Sequence, residues 1–405
     1  MVLNKKLIYV SNNAFDKDNN INPFLLHEIS SLVNKFDAFY IVCNRGIYFC
    51  DNNHNIKKIH NVKKIYRLIA FIKTIFNKEF IKELHSMIMD KKFSLQGVKK
   101  LVYFTFYGEL LYHLIKHIKF ENNNNTIFYS FWLSYDAYAI AKCKKNNPNI
   151  NTIARAHSYE LQINRNPWNP YMMKNFIISN IDHIYFISKD SLNEILKYQD
   201  MNEHKFHINY LGSSSENTGY IKRCYERLKI VSCSSIVKVK QINWIIEALA
   251  NWNYCKIEWV HIGDGPEAHN VEELAKEKLN KNPNISYEFK GFIRNDLVKI
   301  KLQDDSINLF INTSASEGVP VSIMEAMSVG IPIIAPNING IPELVDSSCG
   351  ILFEKAEGVE GVYNAIKQYY MSNEAEKIEM GYYSYEKWKN MFCLEKNIGN
   401  IFKAI

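Results

Sequence analysis

The stretch SASEGVPVSIMEAMSVGIPIIAP, residues 314–336, decides the fold. The run INLFINTS (307–314) ahead of it reads as a buried strand, and Gly318 and Pro320 mark a short loop behind that strand. A helix follows, with Pro near its entry and Gly330-Ile331-Pro332 as its stop, before the next strand, IPIIAP (331–336). Strand, loop, helix and strand make a βαβ unit, whose two strands lie parallel. Open α/β sheets bind ligands beyond the carboxyl ends of their strands. A helix entry there offers free N–H groups and a positive dipole end to an anion such as a diphosphate.

The same alternation runs outward through the chain. In the second half come KIVSCSS (229–235), INWIIEALANW (242–252), KIEWVHIG (256–263) and VEELAKEKLN (271–280). In the first half, strand-like runs include LIYVS (7–11), AFYIVC (38–43), LVYFTF (101–106), TIFYSFW (126–132), TIARAH (152–157) and HIYFIS (183–188). FLLHEISSLVNKF (24–36) and SYDAYAIAKCKK (134–145) carry apolar residues at helical spacing. Six or so strands in each half predict two parallel α/β sheets. The apolar run INYLG gives way to small polar residues near 212. Domains are therefore expected over 1–212 and 213–385, with a helical tail over 386–405.

A chain of 405 residues, 47% hydrophobic and 22% charged, excludes disorder, collagen and a small disulfide scaffold. Residues 1–212 hold 28 Lys/Arg against 17 Asp/Glu, net +11, and residues 213–405 hold 21 against 25, net −4. Two bodies with different partners fit that asymmetry. The eight cysteines form no C-x-x-C pair, so a cytoplasmic, reducing compartment is expected. The N-terminus is too weakly apolar for a signal peptide, and no run approaches the length of a membrane span. Residues 51–100 hold 12 Lys/Arg against 4 Asp/Glu, interleaved with Ile, Leu and Phe. That pattern reads either as a solvated helix face or as a basic amphipathic segment resting on anionic lipid.

Glu317 and Glu325 stand eight residues apart. As a bare pair they read as a capping acid and a solvated helix acid. Their context changes this, because EGVPVSIMEAMSVGIP resembles the E-x7-E signature of glycosyltransferase family 4, the retaining sugar transferases of GT-B architecture. NGIPELVDSSCGILF (339–353), HIGDGP (261–266) and FKGFIRNDLVKIKLQDDSINLFINTSASEG (289–318) are similar to further runs of that family. IVSCSSIVKVKQINWIIEALA (230–250) resembles its strand, phosphate loop and helix. In the first half, IFYSFW and IARAHSYELQINR resemble the edge of its N-terminal domain.

The resemblance implies two Rossmann-like domains facing a cleft, with C-terminal helices crossing back to the first. It implies a nucleotide-sugar donor, UDP-sugar ahead of GDP-sugar, with no metal and no other cofactor. Glu317 would contact the donor sugar, and the backbone of Gly318, Val319 and Pro320 would close around sugar and phosphate. Glu325 would accept from ribose hydroxyls, Ile293 would flank the base, and His157 would lie beside the reaction centre. Lys240 matches the phosphate-binding Lys. The usual Arg five residues earlier is Ser235, which supplies a hydrogen bond but no charge; Lys238 is the nearest other cation. SNNAFDKDNNINP (11–23) stands where many members carry a Gly-rich loop, which implies an acceptor loop built from Asn and Asp side chains.

The acceptor implied is a glycan or a polyprenyl-diphosphate-linked sugar in bacterial surface polysaccharide assembly. Peripheral contact with the inner face of the cell membrane is expected, and no nucleic acid. The same fold also serves nucleotide-sugar epimerases and phosphorylases, and a non-catalytic partner subunit would retain it; the missing Arg at 235 keeps that alternative open.

Overall fold

The computed structural model describes residues 3–15, 20–51, 53–161, 168, 172–197 and 203–403. The chain divides into two compact units, Met1–Asn209 with Ile398–Ile405, and Tyr210–Asn397.

The first unit is built on an eight-stranded sheet: β1 (Leu3–Val10), β2 (Phe36–Cys43), β3 (Gly46–Cys50), β4 (Ile56–Asn61), β5 (Thr126–Ser130), β6 (Asn151–Ala156), β7 (His183–Phe186) and β8 (Phe206–Ile208). Their order is β4-β3-β2-β1-β5-β6-β7-β8. Strands β1, β2, β5, β6, β7 and β8 pair in parallel, whereas β3 and β4 extend the β2 edge as antiparallel ribbons. Tyr9 sits in register between Ile41 and Tyr129, and every residue of β5 is buried, as in a sheet covered on both faces.

The run 101–106, expected as a strand, lies instead within the helix Leu95–Ile115. Its Val, Tyr, Phe and Thr favour strands by propensity, but packing overrides so weak a preference. Leu101, Phe104, Thr105 and Gly108 fall on one helical stripe and are buried. Ser94 caps the first turn by accepting from the Gly97 N–H at 3.0 Å. Gly108 is required where it stands, since a Cβ there would meet the Tyr138 ring at 2.3 Å.

The first unit also takes in the end of the chain. Phe402 packs edge-on against Phe36 at 5.2 Å and tilts against Tyr129 at 5.9 Å, and the Tyr185 hydroxyl donates to the Ile401 carbonyl.

The second unit has six parallel strands: β9 (Leu228–Cys233), β10 (Ile257–Ile262), β11 (Ile285–Phe289), β12 (Leu309–Ile311), β13 (Ile333–Pro336) and β14 (Gly350–Phe353). The order β11-β10-β9-β12-β13-β14 is the doubly wound Rossmann pattern, which reverses direction between β9 and β12. Trp252, Trp259, Ile230, Leu309 and Ile334 fill its core.

The units change at 209/210 and 397/398, where the sequence suggested 212 and 386. Side chains and backbone around Ser213 explain the difference. The Ser213 N–H donates to the Phe392 carbonyl, its carbonyl accepts from the Leu394 N–H, and its hydroxyl accepts from the Trp388 indole at 2.8 Å. The first part of the tail is thus held within the second unit. Among the described residues no helix is long and apolar enough to cross a membrane.

Candidate functional site

In the second unit, the loops beyond β9 and β12 meet where the strand order reverses. The Thr313 hydroxyl reaches the carbonyls of Lys240 and Gln241 at 2.9 and 3.0 Å, and the Ala315 N–H donates to the Val239 carbonyl at 2.7 Å. Gln241 takes a left-handed conformation, φ +47°, to turn the first loop into the helix Ile242–Ala250. The first loop also rests on the turn after β10. A Cβ at Gly263, where φ is +147°, would lie 1.8 Å from the Ser234 carbonyl oxygen, so only glycine fits.

This frame brings Lys240 and Glu317 together. The Lys240 ammonium donates to Glu317 Oε1 at 2.5 Å, and the Ser314 hydroxyl donates to the same oxygen at 2.6 Å. Both side chains stay partly open, at 21% and 12% exposure, so the pair can meet a ligand. Neither Ser314 nor Thr313 stood out in the sequence.

Glu325 is buried on the short helix Val321–Met327 with Ile323, Met324 and Ala326. Burial pushes its carboxyl up to about 7, and the Lys299 ammonium opposes that rise. Lys299 is itself held by the carbonyls of Ser214 and Glu216, each at 2.6 Å. Cys233, at the end of β9, feels both the Glu325 and the Lys240 charge. Burial raises its thiol to about 12, with Glu325 adding to the rise and Lys240 opposing it.

Val319 and Pro320 are buried at the helix entry, and the Gly318 carbonyl lies so near Gly340 that a Cβ there would meet it at 2.5 Å. The helix runs only from Val321 to Met327, so its dipole is small, and Lys240 brings a full positive charge to Glu317 at the start of the loop. Ser235 and Lys238 are exposed on the β9 loop. Ile293 is half-buried beyond β11, two strands away from β9 in the sheet. Among the described residues no group of three or more His, Cys, Asp or Glu side chains could hold a metal ion.

His157 belongs to the first unit, at the carboxyl end of β6. Its ring packs against Phe131 at 4.7 Å and Trp132 at 4.3 Å, and its backbone N–H donates to Glu160 Oε2 at 2.8 Å. Arg155, two residues earlier, is fully buried against Glu28 at 2.5 Å. The loop after β1 uses side chains in place of glycine. Asn12 donates to the Tyr135 hydroxyl at 3.1 Å and accepts from the Asn44 N–H, while its own N–H donates to Asp136 at 3.2 Å. Burial holds the Asp136 carboxyl well above the usual range. Residues 16–19 of the same loop lie outside the described residues. Nearby, a cavity of about 550 Å³ is lined by Lys99, Lys100, Tyr103, Tyr135, Glu160 and Lys174, among others.

Residues 227–372 match the family model described as Glycosyl transferases group 1. The O-antigen biosynthesis glycosyltransferase WclY of Escherichia coli is 30% identical over 119 residues, 29% of this chain and 31% of that protein. The chain therefore spans about a third of that relative's length. Sucrose-phosphate synthase from Thermosynechococcus elongatus superimposes with a TM-score of 0.64 at 14% identity, over 99% of this chain and 98% of that one. Anabaena HepE in complex with UDP-glucose does so at 0.62 and 14% identity, over 99% and 100%. At such identities the likeness speaks to fold, two Rossmann-like domains of the GT-B kind. Residues 227–372 carry a glycosyl transferases group 1 domain within that fold.

Proposed function

We propose that the protein is a retaining glycosyltransferase acting in bacterial surface polysaccharide assembly. It moves a sugar from a nucleotide-sugar, a UDP-sugar ahead of a GDP-sugar, to a glycan or polyprenyl-diphosphate-linked acceptor. The observation that carries this reading is the Lys240–Glu317 pair at the reversal of the second sheet, inside the stretch that matches the family model. The likeness to WclY supports the polysaccharide context, and that to HepE, whose structure holds UDP-glucose, supports a UDP-sugar.

In this reading Lys240 and the N–H groups of Gly318 and Val319 bind the diphosphate, Glu317 orients the sugar, and Glu325 accepts from the ribose. Charge develops on the leaving diphosphate as the anomeric C–O bond breaks, and preorganised donors there lower the barrier most. The acceptor hydroxyl bonds to the anomeric carbon on the face the diphosphate leaves, and its proton passes to a departing phosphate oxygen. His157 would lie beside the donor sugar and the reaction centre, and no metal is required.

A panel of nucleotide-sugars, screened by thermal stabilisation and then for release of the nucleoside diphosphate with and without a lipid-linked acceptor, tests this. Acceptor-dependent release with the anomeric configuration kept is the expected result. One observation favours a second reading, a non-catalytic partner subunit: an exposed Ser235 stands where the family's Arg is expected. Donor binding without turnover would favour it.

A further inference from the structure

Of the 23 large hydrophobic side chains exposed among the described residues, 11 fall between Ile65 and Leu95. They sit on the helices Lys64–Ile75 and Lys78–Met89 and on the link to the helix Leu95–Ile115. On the first helix the buried residues are Tyr66, Ala70 and Thr74, one narrow stripe. At 100° per residue, Ile65, Leu68, Phe71, Ile72 and Ile75 occupy a separate arc of about 120° on the far side. All five are about half exposed, and Phe76, which ends the helix, is 77% exposed. This helix is therefore apolar on two faces, and the unit's core covers only one of them.

The charges around the uncovered face identify its occupant. Lys63, Lys64, Arg67 and Lys78 are all exposed along it, and residues 51–100 as a whole carry 12 Lys/Arg against 4 Asp/Glu. A soluble protein partner with an apolar footprint does not demand such an excess of one sign. An anionic bilayer does, since it takes apolar side chains below the headgroups and cations among them. The face is also fixed to the core. Asn77, between the two helices, caps the second and donates to Glu109 and to Tyr138. The patch ends at Phe93 and Leu95, and the next turns of that same last helix, through Gln96, Lys99, Lys100 and Tyr103, wall the 550 Å³ cavity.

We infer that the face formed by Lys63–Leu95 seats the first unit on an anionic lipid bilayer, with Leu68, Phe71, Ile72, Ile75 and Phe76 inserted and Lys63, Lys64 and Arg67 among the headgroups. The inference stands on this face alone, so loss of the sugar-transfer reading would leave it intact.

The test is flotation of the full chain with phosphatidylcholine vesicles, with and without phosphatidylglycerol. Binding is expected only to the anionic vesicles, and weaker at high salt. Replacing Lys63, Lys64 and Arg67 by Gln should reduce affinity by on the order of 100-fold. Replacing Phe71 and Phe76 by Ser should abolish the binding that survives high salt. The substituted side chains are exposed, so unchanged melting curves will show that both variants are folded. Absence of flotation, or flotation that neither variant alters, overturns the inference. So does a dimer in sedimentation that the Phe variant disperses while vesicles fail to bind, because a second copy would then cover the face.

Discussion

The ammonium of Lys240 and the carboxylate of Glu317 lie 2.5 Å apart on loops that follow β9 and β12. Under the proposed function, a diphosphate approaching Lys240 meets a cation already engaged, and the two residues are expected to act as one unit. Lys240→Met and Glu317→Gln should each lower kcat/KM by about 100-fold or more, about 3 kcal/mol. The double variant should lose little beyond either single one. Isothermal titration separates their roles: UDP binding weakens in Lys240→Met and persists in Glu317→Gln. Full additivity in the double variant would show that the pair has no joint function.

Glu325 makes stability depend on pH. Its carboxyl is raised from 4.5 to about 7 in the folded chain, so between those values the folded chain holds a proton that the unfolded chain has released. Stability from this group is greatest below 4.5 and falls as pH rises to 7, by about 3 kcal/mol in all. Glu325→Gln removes the penalty. Urea unfolding at pH 5 and pH 8 should show the variant gaining on the parent at the higher pH. If the ribose is bound by the ionised form, UDP affinity should rise through pH 7 in the parent and stay flat in the variant.

Ser235 is exposed on the β9 loop, so a longer side chain can be placed there without repacking. Ser235→Arg restores the cation that the family resemblance leads one to expect. It should tighten UDP binding several-fold, with the gain shrinking as salt is raised. An unchanged dissociation constant would place the diphosphate elsewhere.

Arg155 and Glu28 form a fully buried pair in the first unit, and Arg155 also donates to the Asn209 side chain at 2.9 Å. Removing one partner strands a charge in the core. Arg155→Met should destabilise the protein by about 3–5 kcal/mol. Paired replacement of Arg155 and Glu28 by Met and Gln should recover part of that loss in denaturant melts.

Much of the fold can be read from the sequence, because strands buried on both faces are written as short apolar runs that alternate with amphipathic helices. The helix Leu95–Ile115 escaped that reading because Val102, Tyr103, Phe104, Thr105 and Phe106 are strand-formers by propensity. The less buried positions of that run, Val102, Tyr103 and Phe106, are themselves apolar or aromatic, so no polar stripe marks the helical period. The β3–β4 ribbon was equally hidden, since Ile56–Asn61 shows no clean alternation and is largely exposed. At the candidate site, Lys240 and Glu317 were visible as residues, but their bond was not, being set by two loops 77 positions apart. Lys299 faces Glu325 from another helix, a proximity that only the folded chain creates.

The last described turns of the chain have a consequence for biosynthesis. Phe402 completes the packing around Phe36 and Tyr129, yet the 188 residues of Tyr210–Asn397 are translated between Asn209 and that closing segment. At ribosomal speeds of about 5–20 residues per second, the first sheet waits roughly 10–40 s without the ring that packs on Phe36 and Tyr129. The N-terminal half is thus synthesised first and finished last, and a nascent chain paused within the second unit presents an open apolar seam to chaperones.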